Sequence, residues 1–113
     1  AKGEPNYVDI YEGDAFKRDM SYHQGITWTW LLELYYEALK NMVKFEKRKT
    51  YKIKLETKLK DFVEKEKQVF EKEINQRGCV GSIAEIYDST KPYEPKGAIA
   101  QAWSVGAICT MIL

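Results

Sequence analysis

Gly97-Ala98-Ile99-Ala100-Gln101-Ala102-Trp103-Ser104-Val105-Gly106-Ala107-Ile108-Cys109-Thr110-Met111-Ile112-Leu113 is the stretch on which the fold turns. It carries no charge, and wound as a helix it is apolar on nearly every side. Gly, Gln, Ser and Thr interrupt it, and at 17 residues it is too short and too broken for a membrane span. A helix of this kind has to be enclosed by other structure. Two neighbours in a 113-residue chain cannot enclose it. Self-association, or docking on a companion chain, is therefore expected, with Ile99, Trp103, Ile108 and Ile112 buried either under the first long helix or against a second chain.

Upstream, Leu55, Leu59, Phe62, Val63, Phe70 and Ile74 make one apolar stripe on a charged cylinder. They predict a helix over 50–76, about 40 Å long at ~1.5 Å per residue. Gly78 follows Arg77 where a left-handed residue closes such a helix. Further back, Ser21-Tyr22-His23-Gln24 has the Ser-x-x-Gln form of a capping box. Trp28, Leu31, Leu32, Tyr35, Leu39, Met42 and Val43 then recur at helical spacing, predicting a helix over 23–44. Residues 1–20, with Gly3, Pro5, Asn6, Gly13 and Asp14, read as irregular or extended, for the most part irregular. Residues 79–96, punctuated by Gly81, Pro92 and Pro95, read as a loop around Ser82-Ile83-Ala84-Glu85-Ile86-Tyr87. The expectation is an all-α structure with three main helices, 23–44, 50–76 and 97–113, and no sheet beyond a stray bridge.

Composition bounds the function. With 44% hydrophobic and 31% charged residues, the chain can build one core, which excludes disordered and collagen-like classes. The net charge of +1 conceals a +6 balance between Lys40 and Lys72 and −5 elsewhere. Acids are interleaved there at helical spacing, as in Glu64 with Gln68, so a solvated helix face is favoured over a nucleic acid or membrane partner. Cys79 and Cys109 read as free thiols, and no secretory leader is visible, so a cytoplasmic location is expected. One His, no His-Cys cluster and no phosphate loop leave no support for a metal or cofactor.

Carboxylates and aromatics remain, which suits carbohydrate chemistry. Glycoside hydrolysis needs two carboxyl groups flanking the bond, and rings can pack on sugar faces. Trp28, Trp30, Trp103, Tyr22, Tyr87 and Tyr93 lie at predicted helix starts or in loops. Each candidate also has a structural reading. Ser82-x-x-Glu85 is a second capping-box pattern, Gln24 is the N3 partner of Ser21, and His23 suits a helix's first turn. Trp28 and Trp103 suit a core.

Three segments in order shift that balance. Asp19-Met20-Ser21-Tyr22-His23-Gln24-Gly25-Ile26-Thr27-Trp28 resembles the Tyr-His-Gln-Gly-x-x-Trp segment of glycogen debranching enzymes, in their amylo-α-1,6-glucosidase domain. Gly81-Ser82-Ile83-Ala84-Glu85-Ile86-Tyr87-Asp88 resembles that domain's Ser-x-x-Glu-x-Tyr/Phe-Asp segment. Pro95-Lys96-Gly97-Ala98-Ile99-Ala100-Gln101-Ala102-Trp103-Ser104-Val105 resembles its terminal Pro-Arg-Gly-x-x-Ala-Gln-Ala-Trp-Ser-Val helix. Thr27 and Thr29 stand where the family usually has Val and Pro.

The resemblance implies an (α/α) six-hairpin toroid, of which residues 1–113 would be a single partial domain, its C-terminal part. Twelve helices of ~12 residues with ~6-residue connections need about 210 residues. It implies Glu85 as the general base of an inverting hydrolysis of α-1,6-linked glucose at glycogen branch stubs. It implies His23, Gln24, Trp28 and Trp103 as residues lining or supporting the glucose pocket, with an α-glucan as partner. The general acid, an Asp, would lie upstream, so little activity is expected of this chain alone. A glucan-binding or self-associating helical module without catalysis is the alternative. The shared-site reading expects Glu85 in a cleft with His23, Gln24 and Trp103. The capping reading expects its carboxylate on the Ser82 amide.

Overall fold

Arg48 folds back on Glu46 through three hydrogen bonds of 2.8–3.0 Å, two of them from its guanidinium. That clasp reverses the chain and holds the Glu46 carboxyl down at about 2. On either side run the two longest elements of the computed structural model, which describes residues 2–113. The order is α1 (Ala15–Ser21), β1 (Thr27–Trp28), α2 (Leu31–Phe45), α3 (Lys49–Gln76), β2 (Ile86–Tyr87), β3 (Pro95–Lys96) and α4 (Ala102–Ile112). Helices dominate, and the all-α class holds.

Helix α3 matches its predicted span to within a residue, because its apolar stripe suffices to define it. Gly78 follows the C-cap Arg77 at φ +52, the left-handed position foreseen for it. The core lies between the second half of α3, the 83–87 segment and α4. Phe70, Ile83, Ala84, Tyr87, Ile108 and Met111 are buried together, with Leu32 and Tyr36 of α2 packed against them. Each fully buried Ile there is worth ~1.5–3 kcal/mol relative to exposure.

Several expectations need correcting. The helix predicted over 23–44 begins only at Leu31. Gly25 stands at φ +141, and the Gln24 carbonyl accepts the Val8 amide at 2.8 Å, so residues 22–25 make a turn, with Ile26 leading out of it. The following pair is a strand. Ser21 is the last residue of α1 rather than a cap, and its hydroxyl donates to the Arg18 carbonyl at 2.9 Å. Residues 2–20 are mostly irregular, as expected, except for α1, which Asp14 caps by accepting the Lys17 amide at 2.9 Å.

The helix predicted over 97–113 starts at Ala102, because 95–101 is spent on pairing. Gln101 donates its amide to the Ile83 carbonyl at 2.9 Å. The three short strands form an antiparallel sheet ordered β1-β2-β3, more than a stray bridge. Trp28 pairs with Ile86, and Ile86 with Lys96. The expected burial divides: on α4 Ile108 is 1% and Trp103 50% exposed, and Ile99, ahead of that helix, is 65% exposed.

Candidate active site

The sheet register builds the site. Pairing Trp28 with Ile86 lays the 22–28 segment alongside the residues that follow Glu85. Pairing Ile86 with Lys96 brings Gly97 and Ala98 against Glu85 from the other side. The Glu85 amide donates to the Ala98 carbonyl at 2.9 Å, and the Ala98 amide donates to Glu85 Oε2 at 3.0 Å. Gly97 at φ +69 turns the chain between them. On the opposite flank the Tyr22 hydroxyl donates a short hydrogen bond to Glu85 Oε1. Burial, then that hydrogen bond and the carboxylate's charge, push the Tyr22 phenol well above its ordinary value of 10.0. Tyr22 is therefore the proton donor and Glu85 the acceptor.

Glu85 and Tyr22 line an open cavity of about 340 Å³ shared with Tyr11, Arg18, Asp19, Gly97 and Ala98. A carboxylate has about four lone-pair sites. Two are used here, which leaves capacity to accept a proton from a water in the cavity.

Rings extend the site from Tyr22. Its ring meets Trp28 edge-on at 4.5 Å and His23 at 4.9 Å. His23 and Trp28 are stacked, 5° from parallel with centroids 5.1 Å apart. Trp103 stands edge-on to Trp28 at 6.1 Å and tilted over Trp30 at 5.9 Å. The Trp28 indole donates to the Tyr22 carbonyl at 3.0 Å, which fixes its plane. Tyr22 thus links Glu85 to His23 and Trp28, and Trp103 joins through Trp28, but none of these three rings, nor Gln24, is among the residues lining the cavity at Glu85. Gln24 is exposed and tied through its backbone to Val8 and Ser21.

The capping-box reading of Ser82-x-x-Glu85 fails. No helix starts there, and the Ser82 amide donates to the Cys79 carbonyl at 2.9 Å. Sequence reasoning missed Tyr22 as the partner of Glu85, although it noted the residue as an aromatic. It also missed Asp88, which is buried and accepts the Tyr11 amide at 2.7 Å, holding the N-terminal segment over the cavity. The signal for Asp88 was present, since it ends the same quoted segment as Glu85.

A family model described as amylo-alpha-1,6-glucosidase matches residues 1–110. The chain belongs to the amylo-alpha-1,6-glucosidase family. It is a glycogen debranching enzyme-related domain, and no curated protein and no solved structure matches it. In this glucosidase-family chain the three debranching-enzyme segments fall on the turn before β1, on β2 and at the start of α4. Those are the three places from which the array around Tyr22 is assembled. No helix among the described residues is long and apolar enough to cross a membrane.

Proposed function

We propose that this chain supplies the base side of an inverting α-1,6-glucosidase site acting on the branch stubs of an α-glucan. Glu85 takes a proton from the attacking water, and the Tyr22 hydroxyl and Ala98 amide hold its carboxylate in place and aim it. The rings of His23, Trp28 and Trp103 give the glucose a surface to pack on, and Gln24 offers it a hydrogen-bonding group at the rim. The observation that carries this reading is the position of Glu85. Its two oxygens are each committed to one donor, and its side chain borders open space instead of a salt-bridge cation.

The family resemblance puts the general acid, an Asp, upstream of the matched motifs. Acid catalysis contributes typically ~10²–10⁴-fold, so a natural branched oligosaccharide should be cleaved slowly by this chain alone. α-Glucosyl fluoride separates the two roles, because fluoride departs without being protonated. The chain should release glucose from the fluoride more readily than from a branched maltooligosaccharide, and Glu85→Gln should abolish both. A folded chain that releases glucose from neither substrate would refute the catalytic role.

The stacked rings also favour a second reading, an α-glucan-binding module without catalysis. It predicts quenching of tryptophan fluorescence by maltooligosaccharides that survives Glu85→Gln.

A further inference from the structure

We infer that Arg18 and Asp19, at the end of α1, read the hydroxyls of the glucose held at Glu85, with Asp19 accepting hydrogen bonds from neighbouring hydroxyls and Arg18 donating to an oxygen beside them. The inference rests on the glucosidase reading above and adds to it the residues that recognise the sugar. Tyr11, Arg18, Asp19 and Tyr22 border the cavity at Glu85, and Arg18 and Asp19 are the charged pair among them. His23, Trp28 and Trp103 do not border it. A sugar placed where Glu85 can act on it therefore takes its polar contacts from the end of α1.

The supply of donors and acceptors favours this pair. Both Glu85 oxygens already hold a donor, Tyr22 on one and the Ala98 amide on the other. The Arg18 guanidinium gives one N–H to the Gly13 carbonyl at 2.6 Å, which steadies it and leaves most of its roughly five donors for a ligand. The Asp19 carboxylate forms no ion pair with a cation of the described residues, Arg18 included. Consecutive helix residues diverge by about 100°, so these two cannot satisfy each other and instead approach the cavity from two directions. Their placement is fixed relative to Glu85. The Asp19 carbonyl accepts the Tyr22 amide at 3.3 Å, and the Tyr22 hydroxyl holds Glu85. Adjacent hydroxyls of a pyranose present both donors and acceptors, which a carboxylate and a guanidinium match with charge-assisted bonds. Two carboxylates against one guanidinium disfavour an anionic ligand and suit a neutral sugar.

The test uses the full chain and reads binding, so that it does not depend on turnover. Glucose should shift the amide resonances of Gly97 and Ala98 in a nuclear magnetic resonance titration. Asp19→Asn and Arg18→Gln should each weaken glucose about tenfold or more, and Arg18→Lys should recover part of the loss. Asp19 is exposed and unpaired, so Asp19→Asn separates recognition from folding, which circular dichroism checks. Against a panel of monodeoxyglucoses, the sugar that lacks the hydroxyl read by Asp19 should bind the parent more weakly than glucose does. It should bind Asp19→Asn as well as glucose does. A parent chain that binds no glucose would overturn this inference together with the glucosidase reading. Glucose binding that neither substitution weakens, or that Asp19→Asn weakens equally for glucose and every deoxy sugar, would overturn this inference and leave the role of Glu85 standing.

Discussion

At Gly97 the backbone stands at φ +69, and a Cβ there would run into the Glu85 carboxylate and lie 3.0 Å from Ile86 Cγ1. Gly97→Ala should therefore cost about 1–3 kcal/mol in denaturant unfolding, from the left-handed backbone alone. It should also abolish any turnover that depends on Glu85, because the carboxylate must move. Glu66 makes a different prediction. Burial raises its pKa above the ordinary 4.5, with Lys65 only partly opposing. The folded chain then holds that proton more tightly than the unfolded one. The group favours folding at low pH, and this contribution is lost as pH rises through 4.5 toward the raised value. Glu66→Gln should melt higher than the parent at pH 7, and the difference should shrink toward zero as the parent is acidified below that range. A variant that melts lower at pH 7 would contradict the burial account.

Among the elements, the least self-sufficient are the three two-residue strands and the segment before α1. They persist because side chains bind them to the core. Asp88 is the main tie: it accepts the Tyr11 amide at 2.7 Å and lies 3.7 Å from the Lys96 ammonium. A hydrogen bond to a charged group contributes about 1.5–3 kcal/mol. Asp88→Ala should thus speed amide exchange at Tyr11 tenfold or more, while amides in the middle of α3 stay protected. At this scale local pattern reading succeeded for α3 and failed on both sides of the site. Residues 23–30 and 97–101 look helical by composition, yet they hydrogen-bond to segments some 60 and 15 residues away in sequence. Window-based periodicity carries no information about such partners.

The whole molecule is extended, with a radius of gyration of 16.0 Å, against about 13 Å for a compact domain of ~100 residues. Its single core is correspondingly thin, and Ile108, 1% exposed, sits where α4 meets the buried cluster. Ile108→Ala should cost ~2–5 kcal/mol. Because α2, α3 and the 83–87 segment share that core, helical signal and tryptophan fluorescence should be lost together. Two separate transitions would show that the α2–α3 hairpin stands without it. The same thin shape explains why the apolar surface expected on α4 is only half covered, and why a second uncovered face appears on α2.

Residue order alone determined the long charged helix with its closing glycine, the predominantly helical class, and the three motifs that name the family. Each is written in a contiguous stretch, where spacing and residue type carry the physics. Only the tertiary structure decided that Tyr22 is the partner of Glu85, that Ala98 presents both its amide and its carbonyl to the same residue, and that Ser82 caps nothing. Those outcomes depend on strand register and on two left-handed glycines. The cause is long-range backbone hydrogen bonding, which overrides local helical preference wherever it satisfies amides that would otherwise be buried without partners.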